Sequence, residues 1–405
     1  MCSVARAVPL GQEGSDLHVG VGAATLRPGR TASADLVVRG LLREFARGNG
    51  PGRVTVLTTP DVVRAYRDLA MGPVSFHMVG RRRLGGESMA PGLRLAAALA
   101  HYERDLPKDL DLVHYPITVP APRVRLPTVV TLHDVLHHDR PEVLPRSLRF
   151  YRRFAYDRAA RSATLVAADS EYGKSRIVER LGISPERIEV VHLGVDEDYR
   201  PEARDEDDGV LRSFELPERF VLYPATYWHH KNHERLIDAF AALRDTELAL
   251  VLTGNPYGRL RGLVERGRRL GIEQRVIHLG QVDRGALPAL YRRADALVFP
   301  SLYEGFGAPP LEAMASGCPV ACSPRAALTE ICGDAALYFE PEDPAAIAEA
   351  IERLTSDSTL RAELRAAGFR RAGRFGWPVT AARYAAVYGR AVGLGAADAR
   401  RSLLV

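Results

Sequence analysis

The sequence predicts an α/β protein in which two doubly wound domains face each other across a cleft. Three observations support this fold class. Short apolar, β-branched runs alternate with amphipathic stretches, which is typical of parallel sheets covered by helices on both faces. A polar, acidic and proline-broken segment at 196–218 interrupts the alternation, which then resumes. A length of 405 residues also suits two domains, each with its own core.

The first half of the chain contains seven apolar runs with the length and composition of strands. They are residues 17–26, 53–59, 74–79, 112–115, 128–134, 164–168 and 188–193. Amphipathic stretches between them predict helices. These are residues 36–47, 93–104, 146–161 and 174–181. We assign residues 1–198 to an N-terminal domain and residues 199–218 to a linker.

The second half of the chain repeats the alternation. Its predicted strands are residues 220–225, 248–253, 276–279, 296–300, 319–322 and 336–339, and its last predicted helices are residues 344–354, 360–369 and 379–392. We assign residues 219–376 to a C-terminal domain and residues 377–405 to a final helix and tail. Ligands of doubly wound sheets bind outside the carboxyl ends of the strands. Two such edges that face each other therefore predict a shared site that can exclude water.

The composition is that of an ordinary globular protein, with 46% apolar and 26% charged residues. No apolar run approaches the ~20 residues that span a bilayer, and the start lacks the pattern of a secretion signal, so we expect a cytoplasmic protein. The cysteines are too few for a disulfide framework. We interpret them as small buried thiols and not as metal ligands. They are Cys2, Cys318, Cys322 and Cys332.

Arginine clusters give the N-terminal half a basic character, within a formal net charge of +5. One cluster occupies 81–83, and another recurs at helical spacing over 146–161, with Phe150, Tyr151 and Phe154 between its members. A basic amphipathic helix can rest on an anionic membrane, so one interpretation is peripheral contact with the inner membrane face. The other interpretation is a solvated helix face in an arginine-rich chain. No nucleic-acid-binding module accompanies the charge, so we expect no nucleic acid partner.

The segment at 300–319 has the pattern of a strand, a glycine-containing turn and a helix start. The turn reads Glu-Gly-Phe-Gly at 304–307, and two prolines after it suit the first turn of a helix. Amides of this loop and of the helix start can meet phosphate oxygens, helped by the helix dipole. Glu304 and Glu312 are then placed for sugar hydroxyls. The alternative is a tight turn in which Glu312 only complements the helix dipole.

A second informative segment, at 223–236, follows the first strand of the C-terminal domain. Lys231 lies where a helix begins, and its ammonium group would offset the charge that builds on a departing diphosphate. Only three lysines occur among the 55 basic side chains, which favours a function for this one. The alternative is a solvated lysine beside an Asn232 helix cap.

A third segment, at 131–142, closes a β-branched strand of the N-terminal domain with His133 and Asp134. A histidine at that end of a strand can hydrogen-bond a phosphate or a sugar hydroxyl, or act as a base. The alternative is a histidine whose hydrogen bonds serve only the fold. The run His-His-Asp at 137–139 lacks a tetrahedral ligand set, so we interpret it as a polar loop and predict no metal site.

Taken together, these segments resemble the retaining glycosyltransferases of family 4, whose GT-B fold pairs two Rossmann-like domains. The resemblance covers most of the chain and is firmest over 219–341, where 304–312 is similar to the family's E-x7-E signature. It implies that Glu304 binds hydroxyls of the donor sugar and that Glu312 binds the ribose. It also implies that loop amides hold phosphate and sugar. These amides belong to Gly305, Phe306 and Gly307.

Other positions extend the resemblance. Lys231 matches the family's diphosphate-binding lysine, and His133 matches a histidine near the transferred sugar. Gln281 and Val282 look like the loop that contacts the base. The final helix, near 377–392, would cross back to the N-terminal domain, as in that fold. Further likeness lies at 170–172, 192–196, 330–331 and 333–334.

The chain departs from the family pattern at one diphosphate-binding position. Many relatives carry an arginine five positions before the lysine, as a second cation, whereas this chain has Thr226 there. The second positive group is then His229, an arginine such as Arg30, or a set of backbone dipoles.

The resemblance implies a metal-independent transfer of sugar from a nucleotide diphosphate donor to an acceptor hydroxyl, with retention of configuration and without a cofactor. GDP-mannose and UDP-sugars are both candidate donors. The acceptor is a glycan, a lipid-linked compound or a small molecule. Two alternatives use the same cleft: a nucleotide-sugar 2-epimerase on the same fold, and a catalytically silent partner protein that binds a nucleotide sugar. Donor turnover without an acceptor would indicate the epimerase.

Overall fold

The computed structural model describes residues 16–26, 32–79 and 106–403, which contain two β-sheets and the helices that cover them. The first sheet contains β1 (His18–Gly22), β2 (Arg53–Thr58), β3 (Val74–Met78), β4 (Leu112–Tyr115), β5 (Thr128–Thr131), β6 (Leu165–Ala168) and β7 (Ile188–Val190). The second contains β8 (Phe220–Pro224), β9 (Ala249–Thr253), β10 (Val276–Gly280), β11 (Ala296–Phe299), β12 (Val320–Cys322) and β13 (Leu337–Tyr338).

All strand pairings in both sheets are parallel. The strand orders are β3-β2-β1-β4-β5-β6-β7 and β10-β9-β8-β11-β12-β13. In each sheet the order reverses beside the first strand, so that helical connections cover both faces. The predicted fold class, two doubly wound α/β domains, is confirmed.

The α-helices are more numerous than the sequence pattern predicts. In the first half they are α1 (Ala32–Ala46), α2 (Pro60–Ala65), α3 (Leu136–Asp139), α4 (Arg146–Ser162) and α5 (Glu171–Leu181). In the second half they are α6 (Asp207–Ser213), α7 (His233–Ala241), α8 (Leu260–Arg269), α9 (Leu287–Arg293), α10 (Ala308–Ala315), α11 (Leu328–Cys332), α12 (Pro344–Ser356), α13 (Ser358–Ala372) and α14 (Trp377–Leu403).

Burial on both faces explains why the strands read as continuous apolar runs. All residues of β4 and β9 are buried, for example. Several strands are shorter than predicted. The predicted strand at 17–26 ends at Gly22, because the amide of Leu26 donates back to Ala23 in a turn. The predicted helix at 93–104 lies outside the described residues.

The last helix, α14, returns to the N-terminal domain, as the resemblance implies. The hydroxyl of Tyr384 lies 2.8 Å from Oγ1 of Thr131, and that of Tyr388 lies 2.8 Å from Nδ1 of His114. Burial lowers the pKa of His114 to about 3, so this contact is between neutral groups. The helix therefore fastens the end of the chain to the sheet that carries His133.

The predicted linker at 199–218 contains a structured element that its acidic sequence does not indicate. Helix α6 lies within it, and both carboxylate oxygens of Asp207 accept hydrogen bonds from Arg292 on α9, at 2.6 Å each. The segment is thus held against the C-terminal domain by an ion pair. The exact domain limits stay a prediction.

Two smaller expectations concern the cysteines and the membrane. Cys318, Cys322 and Cys332 are buried free thiols, as interpreted from the sequence, whereas Cys2 lies outside the described residues. Within the described part of the chain, no helix combines the length and the apolar character that crossing a membrane requires.

Candidate active site

A cavity of about 450 Å³ lies between the carboxyl edges of the two sheets. Residues that follow β4, β5 and β6 line it from the N-terminal domain, and residues that follow β8 and β11 line it from the C-terminal domain. It is therefore the shared cleft that two facing doubly wound sheets predict. The site residues that line it are His133, Thr226, Lys231, Glu304, Gly305, Phe306, Gly307 and Glu312.

The turn between β11 and α10 depends on its two glycines for different reasons. Gly307 has a φ of +97°, in the left-handed region, and a Cβ there would lie 2.6 Å from a methyl carbon of Leu328. A Cβ on Gly305 would lie 2.0 Å from the carbonyl oxygen of His133, in the other domain. The sequence predicted close approach to a ligand, whereas Gly305 already permits close approach of the two domains to each other.

Lys231 and Glu304 meet inside the cleft. Nζ of Lys231 donates to Oε1 of Glu304 at 2.6 Å, and their side chains are only 16% and 12% exposed. Lys231 is held by its neighbours, because Tyr223 donates to its carbonyl at 2.6 Å and Asn232 adopts a φ of +63°. This lysine is therefore not the solvated residue of the alternative interpretation.

Asn232 does not cap the following helix with its side chain. Its amide group instead donates to the carbonyl oxygens of Pro300, at 3.1 Å, and Pro341, at 2.6 Å. Pro300 follows β11 directly, so these bonds tie the lysine turn to the strand that leads into the glycine turn. The backbone at Lys231 is thus anchored to the same strand that leads to Glu304.

Glu312 is buried in α10 and is already paired. Its Oε1 accepts from Arg284 at 2.9 Å and its Oε2 accepts from the hydroxyl of Tyr291 at 3.1 Å. Burial raises the pKa of this carboxyl group, and the charge of Arg284 opposes that effect. Arg284 also lies 3.6 Å from Asp196, so one guanidinium serves two carboxylates.

Sequence reasoning missed Arg284, although it lies two residues after the predicted base-contacting loop. Gln281 and Val282, which form that predicted loop, are not among the residues that line the cavity. Val282 packs instead against the hydrophobic core. The available signal was the Asp-Arg-Gly sequence at 283–285, where Asp283 begins a turn by accepting from the amide of Gly285.

His133 has an acceptor beside each ring nitrogen. Nδ1 lies 2.7 Å from Oδ2 of Asp169, and Nε2 lies 2.8 Å from the carbonyl oxygen of Pro116. Burial lowers the pKa of this histidine, but the charge and hydrogen bond of Asp169 outweigh burial and raise the pKa to about 9. At neutral pH the ring is therefore an imidazolium that donates from both nitrogens, which disfavours its role as a base.

The remaining charged groups of the cleft are also paired. Arg152, from α4, donates to Oδ1 of Asp134 at 2.7 Å. Of the proposed second cations, His229 does not line the cavity, and Arg30 lies outside the described residues. The cationic side chains that line the described cleft are Lys231, His133, Arg152 and Arg284, and each faces a carboxylate.

Hydrogen bonds of Ser170 and Glu330 join the two domains next to the cavity. The hydroxyl of Ser170 donates to the carbonyl oxygen of Gly305 at 2.7 Å. Glu330 of α11 accepts from the amides of Glu171 and Tyr172, at 2.9 and 3.0 Å, and lies 2.8 Å from Nε2 of His192. A carboxylate of the C-terminal domain thus caps the start of α5 in the N-terminal domain.

The His-His-Asp run at 137–139 separates into two sets of contacts. Nε2 of His137 and Nε2 of His138 each lie 2.8 Å from a different carboxylate oxygen of Asp157. Asp139 instead accepts from Arg176 and Arg180. Among the described residues, His137, His138 and Asp157 are the group with metal-ligand spacing, but none of them lines the cavity.

Two family models match this chain, one over each domain. The model described as "Glycosyltransferase Family 4" matches residues 35–199, and that described as "Glycosyl transferases group 1" matches residues 210–371. The chain is 34% identical to the O-antigen chain mannosyltransferase B of Escherichia coli, over 62% of this chain and 66% of the relative. It is 31% identical to an MMP alpha-(1->4)-mannosyltransferase of Mycolicibacterium hassiacum, over 67% of each.

The chain is 33% identical to a third relative, the D-inositol 3-phosphate glycosyltransferase of Salinispora arenicola, over 63% of this chain and 59% of the relative. Thus the chain spans less than two thirds of the length of the first of these relatives and of the third. Solved structures share the fold. The Anabaena protein HepE, in complex with UDP and glucose, superposes with a TM-score of 0.69 at 20% identity, over 92% of this chain and 99% of that one. A sucrose-phosphate synthase from Thermosynechococcus elongatus superposes with a TM-score of 0.71 at 19% identity, over 92% and 98%.

Proposed function

Because this chain belongs to the family 4-like glycosyltransferases with the GT-B fold, we propose that it transfers a sugar from a nucleotide diphosphate donor to an acceptor hydroxyl. The observation that carries this proposal is the contact between Lys231 and Glu304 in the cleft, at 2.6 Å, beside a glycine turn and a helix start. These groups offer an ammonium, a carboxylate and free amides to a single ligand. A sugar diphosphate needs all three.

Lys231 and the turn would stabilise the leaving diphosphate. Charge builds on the phosphate oxygens as the bond to the sugar breaks, and a fixed ammonium group in a site shielded from water lowers that barrier. The start of α10 adds the amide of Ala308, since Pro309 and Pro310 have no N–H, and the positive end of the helix dipole. The carboxylate of Glu304 would accept from hydroxyls of the donor sugar, and Glu312 with Arg284 would meet the ribose.

Retention of configuration belongs to the same proposal. The bond between the anomeric carbon and the diphosphate oxygen breaks while the acceptor oxygen bonds to that carbon on the same face. The acceptor's proton passes to the departing phosphate oxygen. This route suits a cleft in which His133 is an imidazolium, because no protein base is then needed. The imidazolium would instead stabilise negative charge near the transferred sugar.

We also propose that transfer needs no divalent metal ion, because Lys231 and the loop amides supply the positive charge. Full activity after exhaustive treatment with EDTA is expected. Restoration of a lost activity by Mg²⁺ or Mn²⁺ would contradict this part of the proposal. A cytoplasmic location is part of the same proposal, since the three described cysteines are free thiols, which are stable in a reducing compartment.

We propose a hexose donor, because two of the relatives are named mannosyltransferases. GDP-mannose is therefore the first donor to test, and UDP-sugars are the second. A thermal-shift screen with nucleotide diphosphates and their sugars measures this directly, because bound ligand raises the apparent stability. We expect one base to stabilise the protein and its sugar conjugate to be transferred to an acceptor. No shift with any nucleotide diphosphate would reject the proposal.

The 2-epimerase alternative gains no support, since the relatives reported above are named as transferases. The silent-partner alternative is opposed by the paired Lys231 and Glu304, which keep the ammonium and the carboxylate in one cleft. An assay with labelled donor distinguishes the transferase, the epimerase and the silent partner. Transfer to an acceptor supports the transferase, an epimer without acceptor supports the epimerase, and binding without turnover supports the silent partner.

A further inference from the structure

Helix α4 exposes an unusual set of side chains to solvent. Phe150 is 73% exposed, the highest value among the large apolar side chains of the described residues, and Phe154 is 56% exposed. Arg146, Phe150, Phe154 and Arg158 follow one another at intervals of four residues, so they share one face of the helix. Arg153 lies beside them, and it is exposed as well. We call these five side chains the outer face of α4.

The arginines of the outer face are not neutralised by the protein. In the described part of the chain, no ion pair or hydrogen bond involves the side chains of Arg146, Arg153 or Arg158. The helix contains one acidic residue, Asp157, which lines a surface hollow with Arg153 and Arg158 but is itself buried, and its two carboxylate oxygens are taken up by His137 and His138. The outer face is therefore both apolar and positively charged.

We propose that the outer face of α4 docks on the surface of an anionic lipid bilayer. Phenylalanine rings that project from a helix can enter the boundary between headgroups and acyl chains, while arginines beside them meet lipid phosphates. A helix of 17 residues lies about 25 Å along such a surface, long enough for both rings and all three guanidinium groups to reach it together.

The opposite face of the same helix borders the active site. Arg152 and Tyr156 point into the cleft and line the cavity, and Arg152 donates to Asp134 beside His133. The thickness of one helix, about 10–12 Å, therefore separates the docked surface from the cavity. Docking would hold the cleft next to the headgroup layer, where an acceptor carried by the membrane presents its hydroxyl groups. The docking itself does not rest on the proposed function.

The test is co-sedimentation of the whole chain with two kinds of vesicle, pure phosphatidylcholine and phosphatidylcholine with one quarter phosphatidylglycerol. We expect binding to the anionic vesicles, weakened by 0.5 M salt, and at least tenfold weaker binding to the neutral ones. The double variant Phe150→Ser/Phe154→Ser should bind at least tenfold more weakly. Arg153→Gln/Arg158→Gln should lose about fivefold per arginine, because each cation near an anionic surface contributes by that order.

Matched controls change similar side chains elsewhere. Val379→Ser removes an apolar side chain of 57% exposure, and Arg261→Gln removes an exposed arginine of the C-terminal domain. Both should bind vesicles like the parent chain. The thermal shift with nucleotide diphosphate should stay unchanged in every variant, which shows that the fold and the cleft are intact.

Two results would overturn the docking proposal: a parent chain that stays in solution with anionic vesicles, or a phenylalanine double variant that sediments as well as the parent. Failure of the proposed function would give a different result from failure of the docking proposal. Vesicle binding without any nucleotide-dependent shift contradicts the transferase alone, and a nucleotide-dependent shift without vesicle binding contradicts the docking alone.

Discussion

The wall of the cleft formed by the C-terminal domain differs from the wall formed by the N-terminal domain in how its side chains are distributed along the chain. Glu304, the glycine turn and Glu312 lie within nine consecutive positions, and their geometry follows from one strand, one turn and one helix start. On the N-terminal side, His133, Asp169 and Arg152 come from two separate strand ends and a helix. Local sequence therefore encodes this part of the first wall, whereas the order of strands in the sheet encodes the second.

The two walls also differ in the state of their charges. Lys231 and Glu304 form a pair in which both groups keep some exposure to the cleft, so a ligand can exchange with either partner. His133 uses both ring nitrogens in contacts within its own domain. The C-terminal wall is thus suited to binding a charged ligand, whereas the charges of the N-terminal wall are held in ion pairs within that domain.

The largest effect is expected from Lys231→Ala. Loss of one fixed charge that stabilises a leaving group typically costs about 3–4 kcal/mol, so kcat/KM should fall by about 100- to 1000-fold. Glu304→Ala should reduce turnover by a similar factor. Lys108→Ala, which removes an exposed lysine outside the cleft, is the control. Steady-state kinetics with the identified donor measures the effect, and near-normal turnover in both cleft variants would remove this assignment.

The next effect is expected from Asp169→Asn, in the N-terminal wall. The pKa of His133 is raised to about 9 from an ordinary value of about 6.5. Stability from this pair is therefore fully present below about pH 6.5 and is lost as the pH rises through 9. The shift corresponds to roughly 3 kcal/mol, and the asparagine variant should lack that pH-dependent contribution.

Urea unfolding of the parent chain and of Asp169→Asn between pH 6 and pH 10 measures the contribution. The free energies of unfolding should differ most at pH 6 and converge towards pH 10. Asp109→Asn is the control, because Asp109 lies 3.3 Å from His18 but is 54% exposed. Parallel pH profiles for the parent and the Asp169 variant would show that His133 is not held as a cation.

The contrast between the two walls also explains how far the sequence could predict the molecule. The fold follows from the alternation of buried strands and amphipathic helices, because burial on both faces imposes apolar runs that are visible in one dimension. The local sequence was also enough to identify Lys231, Glu304 and Glu312 as candidate site residues. Their positions next to strand ends, glycines and prolines are local properties of the chain.

The missed residues depend on contacts between distant positions. Asp169 could have been found, since it follows β6 directly and β6 neighbours β5, which leads to His133, but only once the strand order is known. Arg284 is joined to Glu312 across 28 positions by a side chain long enough to reach from another loop. The Asp-Arg-Gly turn marks Arg284 as a candidate, but nothing in the local sequence at either end indicates that the two side chains meet.

A smaller effect is expected from Glu312→Ala in the C-terminal wall. Loss of a charged hydrogen-bonding group to the ribose should weaken donor binding by about tenfold, or about 1.4 kcal/mol, with kcat at saturating donor little changed. Arg284 keeps Asp196 as a partner, so the fold should survive. Calorimetric titration with the nucleotide diphosphate measures the affinity of the parent chain and of the variant. Glu265→Ala, which breaks a surface pair with Arg268, is the control, and an equal affinity in the two variants would contradict the ribose role.

The smallest effect is expected from Glu330→Gln, which tests the join between the two walls. Burial raises the pKa of this carboxyl group, but His192 and the amides of Glu171 and Tyr172 outweigh burial, so the net pKa is lowered. The contribution of Glu330 to the stability of the folded protein is therefore present above the ordinary carboxyl pKa of about 4.3. It is lost as the pH falls through the lowered pKa. A neutral amide at this position keeps one acceptor but loses the charge at the start of α5, a change of about 1 kcal/mol.

That loss should favour separation of the domains without unfolding either of them, because Glu330 contacts the N-terminal domain and the core of each domain is untouched. Small-angle scattering of the nucleotide-free variant at pH 7 should give a larger radius of gyration than the parent, and saturating nucleotide should reduce the difference. Glu363→Gln, an exposed carboxylate of α13 in the same domain, should scatter like the parent. If Glu330→Gln and Glu363→Gln scatter alike, the two walls are held together by the hydrogen bond from Ser170 to Gly305 and by the crossing helix α14, and the carboxylate only caps α5.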